Sequence, residues 1–178
     1  MPEDFLPLQK YKRRKIVSLS QNFKQPTYLG YLAILRIAVG YHFASVALPK
    51  ITGPFLHGKV LTEDLAKTAL KDPIGFHQTF ILGTVVPHAQ FFSHLVAFGE
   101  MAIGLSLLFG CLVRLSAAFG ALHNLNILLA IAWANGGPQL GINRIFIILE
   151  LIFVFASAGR ALGLDGVLKR RYPNSKLF

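Results

Sequence analysis

Five polar side chains stand inside runs that otherwise suit oil: Arg36 in LGYLAILRIAVGYHFASV, Glu100 in VAFGEMAIGLSLLF, His123 and Asn126 in GALHNLNILLAIAW, and Glu150 in IFIILELIFVFA. An acid beside an imidazole can exchange protons, and a quinone carbonyl undergoing reduction needs a donor on each side and a proton source. His123 and Asn126 are three apart in sequence and share one helix face. The same residues also compose a purely structural Arg–Glu–His–Glu network that fixes helix register, and both readings stay open. Haem ligation by His42 and His123 is a weaker reading, because their depths differ by roughly 7 Å and no supporting motif accompanies them.

These residues are positioned by elements built for a membrane. Of 178 residues, 53% are hydrophobic and 15% charged, and the mean hydropathy is +0.52, too apolar for an ordinary soluble domain. Runs of the length that crosses a hydrocarbon core of about 30 Å lie near 29–48, 91–112, 115–134 and 143–159. The expected fold is all-α, an integral membrane four-helix bundle. Counted from one end of each span, Arg36, Glu100, His123, Asn126 and Glu150 fall roughly 12–18 Å deep. A lone charge at that depth costs on the order of 3 kcal/mol even by lenient insertion scales, so the five face the interior and pair. Arg36 is the expected partner of Glu100, and Asn124 is expected to point away from the layer. Two acids against one arginine leave a net negative charge there unless one acid carries a proton.

The net charge of +10 does not read as a nucleic-acid surface, because the basic residues flank spans instead of forming a stripe interleaved with aromatics. Lys10, Lys12, Arg13, Arg14, Lys15 and Lys24 precede the first span, Arg114 joins the second to the third, and Arg160, Lys169, Arg170, Arg171 and Lys176 follow the fourth. By the positive-inside rule both termini are cytoplasmic, and the basic ends contact anionic lipid. The expected organisation is a basic cytoplasmic arm at 1–27, a four-helix domain at 28–166 with an outer loop at 49–90, and a basic cytoplasmic tail at 167–178. An interfacial helix is expected around YKRRKIVSLSQNF, and Tyr28 and Tyr31 are expected at headgroup depth.

Pro49 is expected to stop the first span, Thr62 to cap a short helix, Asp72-Pro73 to end that helix, and ANGGPQLGIN to form a turn. The apolar segment 74–86 before Pro87 is expected to be interfacial, re-entrant or the start of a kinked second span. Cys111, the sole cysteine, excludes an internal disulfide. His57, His77, His88 and His94 match no zinc spacing and read as loop or interfacial side chains, so no metal is expected. No phosphate-binding loop or nucleophile motif is present.

Three stretches, LRIAVGYHFASVALPKI, GEMAIGLSLLFGCLVR and SAGRALGLDG, resemble the signatures of the DoxX/DoxD-like family of small four-helix membrane proteins. Arg36, Gly40, Lys50, Glu100, Arg114, Gly159, Arg160 and Asp165 fall on its motif positions, over about 29–166. Some members are the small membrane subunit of a thiosulfate:quinone oxidoreductase, and others are accessory proteins of redox complexes. The resemblance implies a multi-pass protein of the cell inner membrane, an accessory subunit that is non-catalytic by itself, with membrane subunits of a redox or photosynthetic complex as partners and quinone as the associated cofactor. The alternatives are a quinone-reactive subunit using Arg36, Glu100, His123 and Glu150, and a small transporter or channel.

Overall fold

The computed structural model describes residues 29–175, so the arm at 1–27, with its expected interfacial helix, and Tyr28 and Lys176 lie outside the described residues. The chain runs through α1 (Leu29–Thr52), α2 (Lys59–Thr68), α3 (Gly75–Phe80), α4 (Ala89–Phe109), α5 (Val113–Ile127), α6 (Gly137–Ala156) and α7 (Leu164–Arg171), and no strand occurs among the described residues. A wide π-type turn at Leu128–Ala132 prolongs α5. Four helices are long and apolar enough to cross a membrane: Gly30–Thr52, Ala89–Phe109, Val113–Asn135 and Gly137–Ala156.

Pro49 does not stop the first span; it sits inside α1, which continues to Thr52. A membrane helix tolerates the missing amide because neighbouring helices and local adjustments satisfy the freed carbonyl. The consequence is functional, since Lys50 stays on the helix and not in a loop. Thr62 does not cap α2 either. The helix starts at Lys59 after Gly58, which adopts a left-handed conformation at φ 79°, and the Thr62 hydroxyl donates back to the Gly58 carbonyl at 3.0 Å. Asp72 does close the segment as expected, accepting from the Ile74 amide at 2.8 Å. ANGGPQLGIN is a turn only at Gly136, because Gly137 and Pro138 already open α6 and Pro suits a first helical turn. Segment 74–86 is neither a fifth span nor continuous with α4. It forms α3 and a π-type turn at Ile81–Val85, and then breaks before Ala89.

The spans pack as two tight pairs, α1 with α4 and α5 with α6, while α4 and α5 touch far less. Small residues explain the first pair. A Cβ on Gly40 would lie 2.7 Å from the Leu108 nitrogen, and one on Gly104 would lie 2.7 Å from the Ala44 nitrogen, so the two backbones are in direct contact. One apolar core joins Val39, Phe43, Ile103, Leu107, Val113 and Phe153. A second, made of Leu61, Leu65, Ala69, Ile81, Val85 and Ala130, fastens the 53–88 connection over the wide turn of the third span.

At the opposite end, Arg36 is completely buried. Its guanidinium donates to the carbonyls of Leu107, Leu108, Ala161 and Leu162, the last at 2.9 Å. Asp165 is also buried and caps α5 from a distance, accepting from the Leu112 amide at 2.7 Å and the Val113 amide at 3.0 Å. A carboxylate there answers both the unpaired amides and the positive helix end. Gly110, at φ 67°, leaves room for the Arg36 guanidinium beside it. Arg114 donates to the Ser157 hydroxyl at 2.6 Å.

Replacing Gly104 by Val is therefore expected to destabilise the bundle by about 1–3 kcal/mol, read as a lowered melting temperature in detergent. Gly99→Ala, where a Cβ meets nothing within 4 Å, is the matched control and should leave it unchanged; equal melting of the two variants would refute the close-packing account.

Candidate functional site

The five polar residues do not form one layer. Arg36 does not meet Glu100, because its two terminal guanidinium nitrogens are taken by backbone carbonyls at the end of the bundle. Those carbonyls belong to the last turn of α4 and the loop before α7, where the helical ladder has run out of amides, and a guanidinium with five donors satisfies them better than one carboxylate could satisfy it.

Glu100 instead pairs with Lys50. Nζ lies 2.6 Å from both carboxylate oxygens, and His123 Nε2 lies 2.8 Å from Oε1. Glu100 is 2% exposed, whereas Lys50 is 27% exposed and His123 17%. An acid held by an ammonium and an imidazole keeps a counter-charge at hydrogen-bond distance and has a titratable neighbour to which a proton can pass. Lys50, a motif position, reaches Glu100 because α1 continues through Pro49 and does not end before it.

Glu150 goes to a different partner. Asn124 Nδ2 donates to its Oε2 at 3.0 Å, so Asn124 turns inward and not away from the layer as expected. Both are buried, Oε1 of Glu150 has no hydrogen-bond partner, and a Cβ on Gly120 would strike that oxygen. Asn126, on the His123 face, meets a cluster that was not anticipated. His77 Nε2 lies 3.0 Å from Asn126 Oδ1, and its Nδ1 contacts Asp72. His77 is thus not a plain loop histidine; the Asp72-Pro73 turn that ends the preceding helix also aims it at the third span. His57, His88 and His94 contact backbone carbonyls three or four residues away.

Because α4 and α5 diverge, a groove of about 1140 Å³ runs between them, larger than the usual 300–1,000 Å³ of a small-molecule pocket. Its lining spans the bundle from Cys111 and Leu112 at one end to Asp64 and Phe80 at the other, with Lys50, Glu100, His123 and Asn126 grouped on a mostly apolar wall that also holds Ser106 and Ser116. Leu95, Leu105, Phe109, Leu115, Phe119 and Leu122 on its walls are exposed, from 43% at Leu105 to 62% at Phe109. A flat polar headgroup on a long apolar tail fits this arrangement. The wide turn at Leu128–Ala132 lies just beyond Asn126.

The Lys50–Glu100 contact gives a test of its own. Lys50→Met is expected to destabilise the protein by about 3 kcal/mol by leaving a buried carboxylate without its ammonium. Adding Glu100→Gln to that variant should restore most of the loss in a detergent melting assay. A double variant no more stable than Lys50→Met would show that the pair is uncoupled.

The family described as TQO small subunit DoxD matches residues 31–177. No match was found among curated proteins or among solved structures. The matched region takes in all four spans, the Lys50–Glu100–His123 cluster and the Arg36 and Asp165 anchor, and on that match this multi-pass membrane protein belongs to the DoxD family, within the DoxX/DoxD-like group.

Proposed function

We propose that this chain is the membrane subunit of a thiosulfate:quinone-type oxidoreductase and that it holds the quinone headgroup over Lys50, Glu100 and His123, in the groove between α4 and α5. One observation carries the reading: an acid–base cluster is set in the wall of an apolar groove whose sides are exposed along the span. The family description supplies the class of complex. The groove suits the ring and isoprenoid tail, and the cluster suits the oxygens. In this reading the protein sits in the inner membrane with both termini cytoplasmic, following its basic flanks.

Reduction of one quinone takes up two electrons and two protons. The electrons come from thiosulfate oxidised on a partner subunit, and this chain's part is to bind, orient and protonate. Lys50 presents an ammonium toward the site. Glu100 carries the proton between the imidazole of His123 and the quinone oxygen. With His123 neutral the cluster has no net charge; with His123 protonated it is positive and stabilises charge developing on that oxygen.

A second reading, an accessory subunit with no hand in the chemistry, is favoured by the other motif positions. Arg36 and Asp165 are committed to backbone groups, and Arg114 bonds Ser157. Glu100→Gln separates the two. In the complex purified from membranes, the quinone reading expects turnover with a short-chain quinone to fall about 100-fold at unchanged subunit content. Full turnover per assembled complex would leave the accessory reading standing.

A further inference from the structure

A second cavity, of about 400 Å³, lies on the other side of the cluster. Its polar walls come from all four spans: His42 and Lys50 on α1, Glu100 on α4, His123 and Asn124 on α5, and Gln139 and Asn143 on α6. Lys50, Glu100 and His123 line both this chamber and the groove, so the cluster is the partition between them. The chamber lies toward the end of the bundle where α1 finishes and α6 begins, since Lys50 is in the last turn of one and Gln139 in the first turn of the other. The groove is walled mainly by Leu, Phe and Ile, whereas each of the four spans brings a hydrogen-bonding side chain to this chamber beside the apolar Phe43, Val46, Ile127, Ile142 and Phe146, and it has room for on the order of ten waters.

We infer that the chamber is a water-filled proton passage that reaches Glu100 and His123 from the Gln139 end of the bundle, while quinone occupies the groove on the opposite face. The inference rests on the quinone reading and deepens it by giving the two protons a route that does not cross lipid. Each proton enters as hydronium at the Gln139 end, passes along water to the Glu100–His123 pair, and leaves on a quinone oxygen as the electrons arrive from the thiosulfate-oxidising subunit. Asn143 is the positioning residue of the passage. It is 6% exposed, and its Nδ2 is held by the Gln139 carbonyl at 2.8 Å. His42 packs against Phe146, with ring centroids 4.6 Å apart and the planes tilted by 45°, at the side of the chamber. Glu150 reaches the chamber only through Asn124, outside the direct line.

Two measurements test this. In the intact complex in sealed vesicles, with Cys111 changed to Ala, Asn143→Cys should react with a charged, membrane-impermeant methanethiosulfonate from one side of the membrane, because a thiol must ionise in water to react. Ile145→Cys, at a site 58% exposed on the outer face of the bundle, should not react. Equal, slow labelling of both would show a dry chamber and overturn the passage. In the same complex, Asn143→Leu should lower quinone reduction about tenfold and raise the solvent deuterium isotope effect, with KM for the quinone and the amount of complex unchanged. Turnover and isotope effect equal to the unmodified protein would also overturn it. If the unmodified complex binds no quinone, the reading beneath the inference fails and the passage loses its role, even where Asn143→Cys labels; a dry chamber beside a quinone-binding groove is the passage's own failure.

Discussion

A charge taken into hydrocarbon must find its counterpart inside the protein, and in this bundle the first claim belongs to Arg36. Its guanidinium is wholly buried and bonds carbonyls from the end of α4 and the loop before α7. That arrangement ties three separate parts of the chain together and removes the arginine from the acid above it. Glu100 must then draw its cation from elsewhere, and Lys50, in the last turn of α1, is in reach because the helix runs on through Pro49. Structural anchoring and acid–base capacity are thus divided between two basic residues of the same helix.

The groove follows from the same economy of contacts. α4 is held to α1 by the Gly40 and Gly104 crossing, and α5 lies along α6. Only three residues, 110–112, join α4 to α5, and Asp165 clamps that joint by capping α5. At the far end α2, α3 and the π-type turn after it pack on the wide turn of the third span. Two helix pairs fastened at both ends and packed less closely between them leave a lined slot, with the Lys50–Glu100–His123 cluster in its wall.

Much of this was legible in sequence. The four spans follow from run length and hydropathy, because the bilayer sets a strict length requirement, and they differ from the structure mainly at their ends. Partners were harder to read. Depth along a helix is a one-dimensional coordinate, so Arg36 and Glu100 at similar depths looked paired although backbone carbonyls at a helix end compete for the arginine. Pro49 looked like a terminus because its effect in water was carried into a membrane, where the bundle compensates for the lost amide. Asn124 and Asn126 are two apart and so face different ways; that much was readable, but which of them faced inward depended on the crossing of α5 and α6. The Asp72–His77–Asn126 cluster joins a loop to a span, and no helical period encodes such a contact.

The two buried acids show how environment divides labour between like residues. Glu100 touches an ammonium and an imidazole and borders both cavities, so in the proposed reading a proton arriving at it has a titratable neighbour. Glu150 has an amide for a partner and is sealed behind Gly120, with neither cavity touching it. A single amide specifies geometry without supplying charge, which is what registering α5 against α6 requires. In the proposed reading exchange falls to Glu100, which borders both the chamber and the groove, and registry to Glu150, which borders neither.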